Sequence, residues 1–100
     1  MNMQALMKQA QAMQKEVQNT KTEVDNTVFE ASSSFVSVKV KGTKEIVEIK
    51  INEEVKDVIA DDISMLEDMI MIAVNEAFTK VDAMLEEKMG KYSNMMNGLI

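Results

Sequence analysis

Residues 3–24, MQALMKQAQAMQKEVQNTKTEV, set Met3, Leu6, Ala10, Met13, Val17, Thr20 and Val24 at alternating steps of three and four. That spacing lines all seven along one stripe of a helix. Its period of about 3.5 residues is the one at which a facing helix stays in contact along its length. At 1.5 Å per residue the segment reaches about 33 Å. This is long for a chain of 100 residues, and it predicts a helix that projects from the body as an arm.

Near Asp25 the pattern changes from helical to alternating. Thr27 to Ala31 reads as a short strand, and Ser32, Ser33 and Ser34 favour a turn after it. Val36, Val38 and Val40 then alternate with Ser37, Lys39 and Lys41, the signature of a half-buried strand. Gly42-Thr43-Lys44 reads as a tight connection, with Gly42 expected at positive φ. A third strand follows, with Val47, Ile49 and Ile51 inward and Glu48 and Lys50 outward. The three strands form an antiparallel meander with one apolar face.

Asn52 to Ala60 is an acidic connector with room for one helical turn. A second long helix starts near Asp61 or Asp62, either of which can cap it, and Ser64 with Glu67 has capping-box spacing. The acids there complement the positive end of the helix dipole. From Ile63 to Phe78 this helix is apolar on more than one side, whereas a helix packed only on its own sheet needs a single stripe roughly 100° wide. The excess predicts a homodimer, with Leu66, Met69, Ile70, Ala73, Val74, Ala77 and Phe78 at the interface. Gly90 reads as a C-terminal cap. The expected organisation is therefore α+β, a single domain over 1–91 followed by a flexible tail over 92–100.

Composition removes several classes of chemistry. With no histidine and no cysteine, imidazole catalysis, disulfides and zinc–thiolate sites are excluded, and the chain is expected to work in a reducing cytoplasm. The longest unbroken apolar run, Met69 to Val74, falls far short of the roughly 20 residues needed to cross a bilayer, so no membrane partner is expected. Adjacent acids such as Glu53-Glu54 and Asp61-Asp62 lack a nearby nucleophile or phosphate loop. Neither an enzyme nor a metal or cofactor site is expected. Of the eleven methionines, Met65, Met69, Met71 and Met84 fall on helix faces and read as core or subunit interface, and Met95 and Met96 in the tail are unassigned.

The net charge of −6 is unevenly spread: residues 53–76 hold eight acids against Lys56 alone. The first helix and the central strands are weakly positive, and a local field decides close contacts once salt screens beyond about 8–10 Å. Every basic residue is lysine. Bidentate reading of guanine by arginine is therefore unavailable, while point-charge contact with phosphates is open.

Leu6-Met7-Lys8-Gln9-Ala10-Gln11-Ala12-Met13-Gln14-Lys15 resembles the opening motif of the YbaB/EbfC family of bacterial nucleoid-associated proteins. Val36 to Gly42 resembles the family's middle strand and glycine turn, and Val47-Glu48-Ile49 its last strand. Ile63 to Ile70, with Ala73, Asn75 and Ala77, resembles the start of its second long helix. The likeness covers about residues 3–90. It implies a tweezer-like homodimer whose helical arms protrude from a central body, and double-stranded DNA as a partner bound weakly and with little sequence preference.

On that basis Lys8 and Lys15, seven apart on the face opposite the apolar stripe, are candidate DNA contacts, together with Lys80, Lys88 and Lys91 on the second helix. Lys39, Lys41 and Lys50 read as solvated sheet lysines, and Gln4, Gln11 and Gln18 as helix surface. The expected function is nucleoid-associated DNA binding in the cytoplasm. The alternative is a dimeric protein-interaction adaptor without DNA binding, which receives another protein on its heptad stripe or its methionine-rich surface.

Overall fold

The computed structural model describes the backbone of residues 2–98 and the side chains of residues 2–92. Helix α1 spans Met3–Asn26, strands β1, β2 and β3 span Val28–Ser33, Val36–Lys41 and Ile46–Ile51, and a short turn at Glu53–Val55 leads to α2, Lys56–Ala60. Helix α3 runs Ile63–Gly98. This is the α+β order expected. Asn2 caps α1 by accepting from the Gln4 N–H at 3.0 Å. Asp62 caps α3 by accepting from the Met65 N–H at 3.0 Å. Asp62, rather than a capping box at Ser64, therefore starts the helix.

The sheet is an antiparallel meander in the order β1-β2-β3. Phe29 pairs with Val40, Ala31 with Val38 and Ser33 with Val36, so alternate residues of both strands share one face. That face meets Ala73, Ala77 and Val81 of α3, all fully buried. Small residues at 73 and 77 let the helix axis come close to the valines of β2. This corrects the expected interface: Ala73 and Ala77 lie beneath their own sheet and offer nothing to a second chain.

Strand β3 also departs from its simple alternation. Lys39 pairs with Glu48 but Val40 pairs with Ile46, so Val47 is the extra residue of a β-bulge. Ile49 still lies opposite Val38, on the core side of the sheet. Yet α3 packs over β1 and β2, leaving Ile46, Val47 and Ile49 at 43, 46 and 46% exposure.

Gly42 does not take positive φ; in the two hairpins Ser34, at φ 51°, and Lys44, at φ 67°, do so instead. The reason for glycine is proximity. A Cβ at Gly42 would stand 1.8 Å from the Val24 carbonyl oxygen, where the end of α1 crosses the β2–β3 turn. The Gly42 N–H donates to Thr27 O at 3.1 Å in the same crossing.

The end expected at Gly90 is not there, because α3 continues through Gly98. A glycine inside a helix costs only about 1 kcal/mol, and Tyr92 anchors the next turn. It is buried, with its hydroxyl 3.4 Å from the Thr20 hydroxyl of α1. Residues 92–98 are thus helix rather than tail, whereas Leu99 and Ile100 and the side chains of Met95 and Met96 lie outside the described residues.

The contacts Thr20–Tyr92 and Glu23–Lys88 fix the sense of the pairing: α1 and the second half of α3 run antiparallel. The stripe read from the sequence is the seam. Val24 is buried, Thr20, Val17 and Met13 are half-buried, and Ala10, Leu6 and Met3 are exposed. The molecule measures 71 × 21 × 13 Å. Its radius of gyration is 20.0 Å, against about 13 Å for a compact domain of this length.

Candidate nucleic-acid interface

Lys8 and Lys15 stand exposed on α1, and among the described residues neither enters an ion pair. Lys91 is exposed on α3 with its ammonium 4.9 Å from the Tyr92 ring centroid. Lys88 is half-buried between the helices and pairs with Glu23 at 2.5 Å. Lys80 lies apart from these four. It donates to the Glu30 carbonyl at 2.7 Å and so rests against β1 at the body.

The pairing of the helices does something the linear sequence hides. Residues 2–15 contain no acid, and neither do residues 88–98. Antiparallel packing lays residues 88–98 beside about residues 14–23, so the two stretches meet end to end near Gln14. Glu16 and Glu23 of α1 lie alongside residues 88–98, and Glu86 and Glu87 precede Lys88 on the side toward the sheet. Lys8 and Lys15 therefore sit on the acid-free outer end of α1, whereas Lys88 and Lys91 share their level with Glu23. The eight acids of residues 53–76 belong to the opposite end of the long axis, at α2 and the start of α3.

Where the two regions meet, Thr20, Glu23, Glu87, Lys88 and Lys91 line a shallow depression of about 300 Å³. Its mixed charges make it a hinge of ion pairs between the helices rather than an anion pocket. The sheet lysines are partly engaged elsewhere: Lys39 lies 3.5 Å from Glu48. Lys44 lies 2.9 Å from Asp82 and 5.9 Å from the Phe78 ring centroid, which ties the β2–β3 turn to α3. Among the described residues no three acids lie close enough together to hold a metal ion, and no helix is long and apolar enough to cross a membrane.

The YbaB/EbfC DNA-binding family matches the chain over residues 1–96. The chain belongs to that family.

Among YbaB/EbfC relatives, the nucleoid-associated protein YaaK of Bacillus subtilis is 52% identical, over 96% of this chain and 90% of its own length. A nucleoid-associated protein of Ligilactobacillus salivarius is 44% identical, over 99% of this chain and 95% of its own. The crystal structure of the uncharacterized protein HP0035 from Helicobacter pylori matches with a TM-score of 0.68 at 22% identity, covering 96% of this chain and 98% of that one. That likeness shows the fold. The sequence reading had Lys8, Lys15, Lys88 and Lys91 as separate candidates. The register of α1 against α3 sets them apart along the axis, with Lys8 and Lys15 toward the outer end of α1 and Lys88 and Lys91 level with its inner half.

Proposed function

We propose that the protein is a homodimeric nucleoid-associated protein that holds duplex DNA by its phosphates, with little sequence readout. Each helix pair acts as an arm. Lys8, Lys15 and Lys91 would meet the backbone directly, Lys88 would join when Glu23 releases it, and Lys80 sits at the arm's base. The observation that carries this reading is the acid-free outer end of α1, residues 2–15 with Lys8 and Lys15, in an elongated molecule whose acids gather at the other end, around residues 53–68. Lysines there act as point charges that displace condensed counterions, which attracts any duplex alike. The eight acids at the other end repel DNA and would orient the molecule arm-first.

The homodimer rests on the uncovered apolar edge of β3 and the exposed flank of α3. A second copy seated there would set the separation of two arms. The bacterial nucleoid, in the cytoplasm, is the compartment this reading implies.

Charge reversal tests the contacts. Lys8→Glu combined with Lys15→Glu is expected to weaken binding to a random-sequence duplex about tenfold or more, equivalent to about 1.4 kcal/mol. The thermal transition should stay in place, because both residues are exposed and such surface changes usually stay within about 0.5 kcal/mol. Unchanged affinity in a gel-shift titration would remove these lysines from the interface.

A further inference from the structure

The α1–α3 seam continues past the point where α3 covers it. With Thr20 level with Tyr92 and Glu23 level with Lys88, Gly98 comes level with about Gln14 on antiparallel helices of equal rise. Beyond that point the same stripe goes on through Ala10, Leu6 and Met3, widened by Met7. Met3, Met7 and Leu6 are 74, 60 and 44% exposed. A row of apolar side chains in unbroken continuity with a packed helix–helix seam, at the same spacing, is a half-built seam.

We infer that the outer end of α1 pairs antiparallel with the outer end of α1 from a second copy, joining molecules arm to arm. Three features select this occupant. Antiparallel order about residue 8 sets Leu6 against Ala10 and Met3 against Met13, each large side chain meeting a small or flexible one. Parallel order would set Leu6 on Leu6 and Ala10 on Ala10, a full layer beside an underfilled one. Lys8 and Lys15 lie on the far side of the helix from the stripe, so the like charges of two copies point apart. Two arms meeting head-on also present α1 in opposite directions, which aligns their dipoles favourably. The contact is short, about 16 Å for eleven residues. It is therefore weak in isolation and gains strength when neighbouring molecules are held on one duplex. The lysines remain free in such a pair, so the joint would make DNA binding cooperative without competing for phosphate.

The absence of cysteine makes the test direct. Purified Leu6→Cys and Ala10→Cys chains, mixed without DNA under mild oxidation, should give the mixed cross-link about fivefold above either self-cross-link, since a disulfide needs Cα atoms within about 7 Å. Ala5→Cys mixed with Ala12→Cys, on the opposite face, gives the background. A mixed yield no higher than that background overturns the inference; so does a predominance of Leu6–Leu6 links. An arm end that serves a different protein would give the background result. Because no DNA is present, failure here leaves the phosphate contacts of Lys8 and Lys15 standing.

Discussion

Ile49→Lys combined with Met71→Glu is expected to turn a dimer into a folded monomer and to weaken duplex binding about a hundredfold. Ile49 faces the core side of the sheet yet is 46% exposed, because α3 lies over β1 and β2 and stops short of β3. Met71, on α3, is 57% exposed. The Phe78 ring under Lys44 of the β2–β3 turn shows that a flank of the helix borders this edge. Such an apolar step, running from strand to helix, is the shape a second sheet-and-helix unit fills. Neither side chain contributes to the buried core of Val36, Val38, Val40, Ala73, Ala77 and Val81, so charges there leave the single chain folded. What is lost is the second arm. Two linked arms bind more tightly than one by about 10²–10⁴ when geometry lets both engage. In sedimentation the mass should fall from twice 11.2 kDa to 11.2 kDa. A variant that stays dimeric would place the interface elsewhere.

Gly42→Ala is expected to destabilise the fold by about 3 kcal/mol, at the upper end of what overpacking usually costs. The added methyl would stand 1.8 Å from the Val24 carbonyl oxygen and 3.0 Å from the Asp25 nitrogen. Both are backbone atoms and neither can swing aside. Relief requires α1 to move off the β2–β3 turn, which breaks the Gly42 N–H bond to Thr27 and unseats Val24, itself fully buried. For a domain with roughly 5–15 kcal/mol in total, that is a large fraction. Urea unfolding would show a lower midpoint at unchanged slope. A midpoint within experimental error of the parent would mean that α1 does not close on Gly42 in solution.

Gly42 also shows where a sequence stops being legible. Glycine in a tight connection reads naturally as a positive-φ residue, but its cause here is a backbone eighteen positions away, which no local pattern reveals. The strand valines 36, 38 and 40 were legible because burial on one face imposes period two whatever covers that face. The stripe of α1 was legible for the same reason, and it announced that a helix must lie along it. Periodicity does not say which helix. The partner is the second half of α3, and it was obscured by reading Gly90 as a stop. Tyr92 docking against Thr20 outweighs the modest cost of one glycine. The breadth of apolar positions on α3 was read correctly as more than one sheet can cover. Which residues go where was not: Ala73 and Ala77 turn inward, while Met71 and Ile72 are left outside. Among the lysines, Lys80 was grouped with Lys88 and Lys91 as a candidate on the second helix, yet it is bound to β1 at the body, because a shared helix does not fix position along the axis.

The salt dependence of duplex affinity addresses the phosphate grip most directly. Each phosphate contacted on a duplex contributes about −0.9 to the slope of log affinity against log salt. Lys8, Lys15 and Lys91 from two arms, six contacts, give an expected slope of about −5, the same for unrelated duplex sequences, flattened by Lys8→Glu with Lys15→Glu. A slope near zero, or no binding even at low salt, would contradict the proposed arm–phosphate grip.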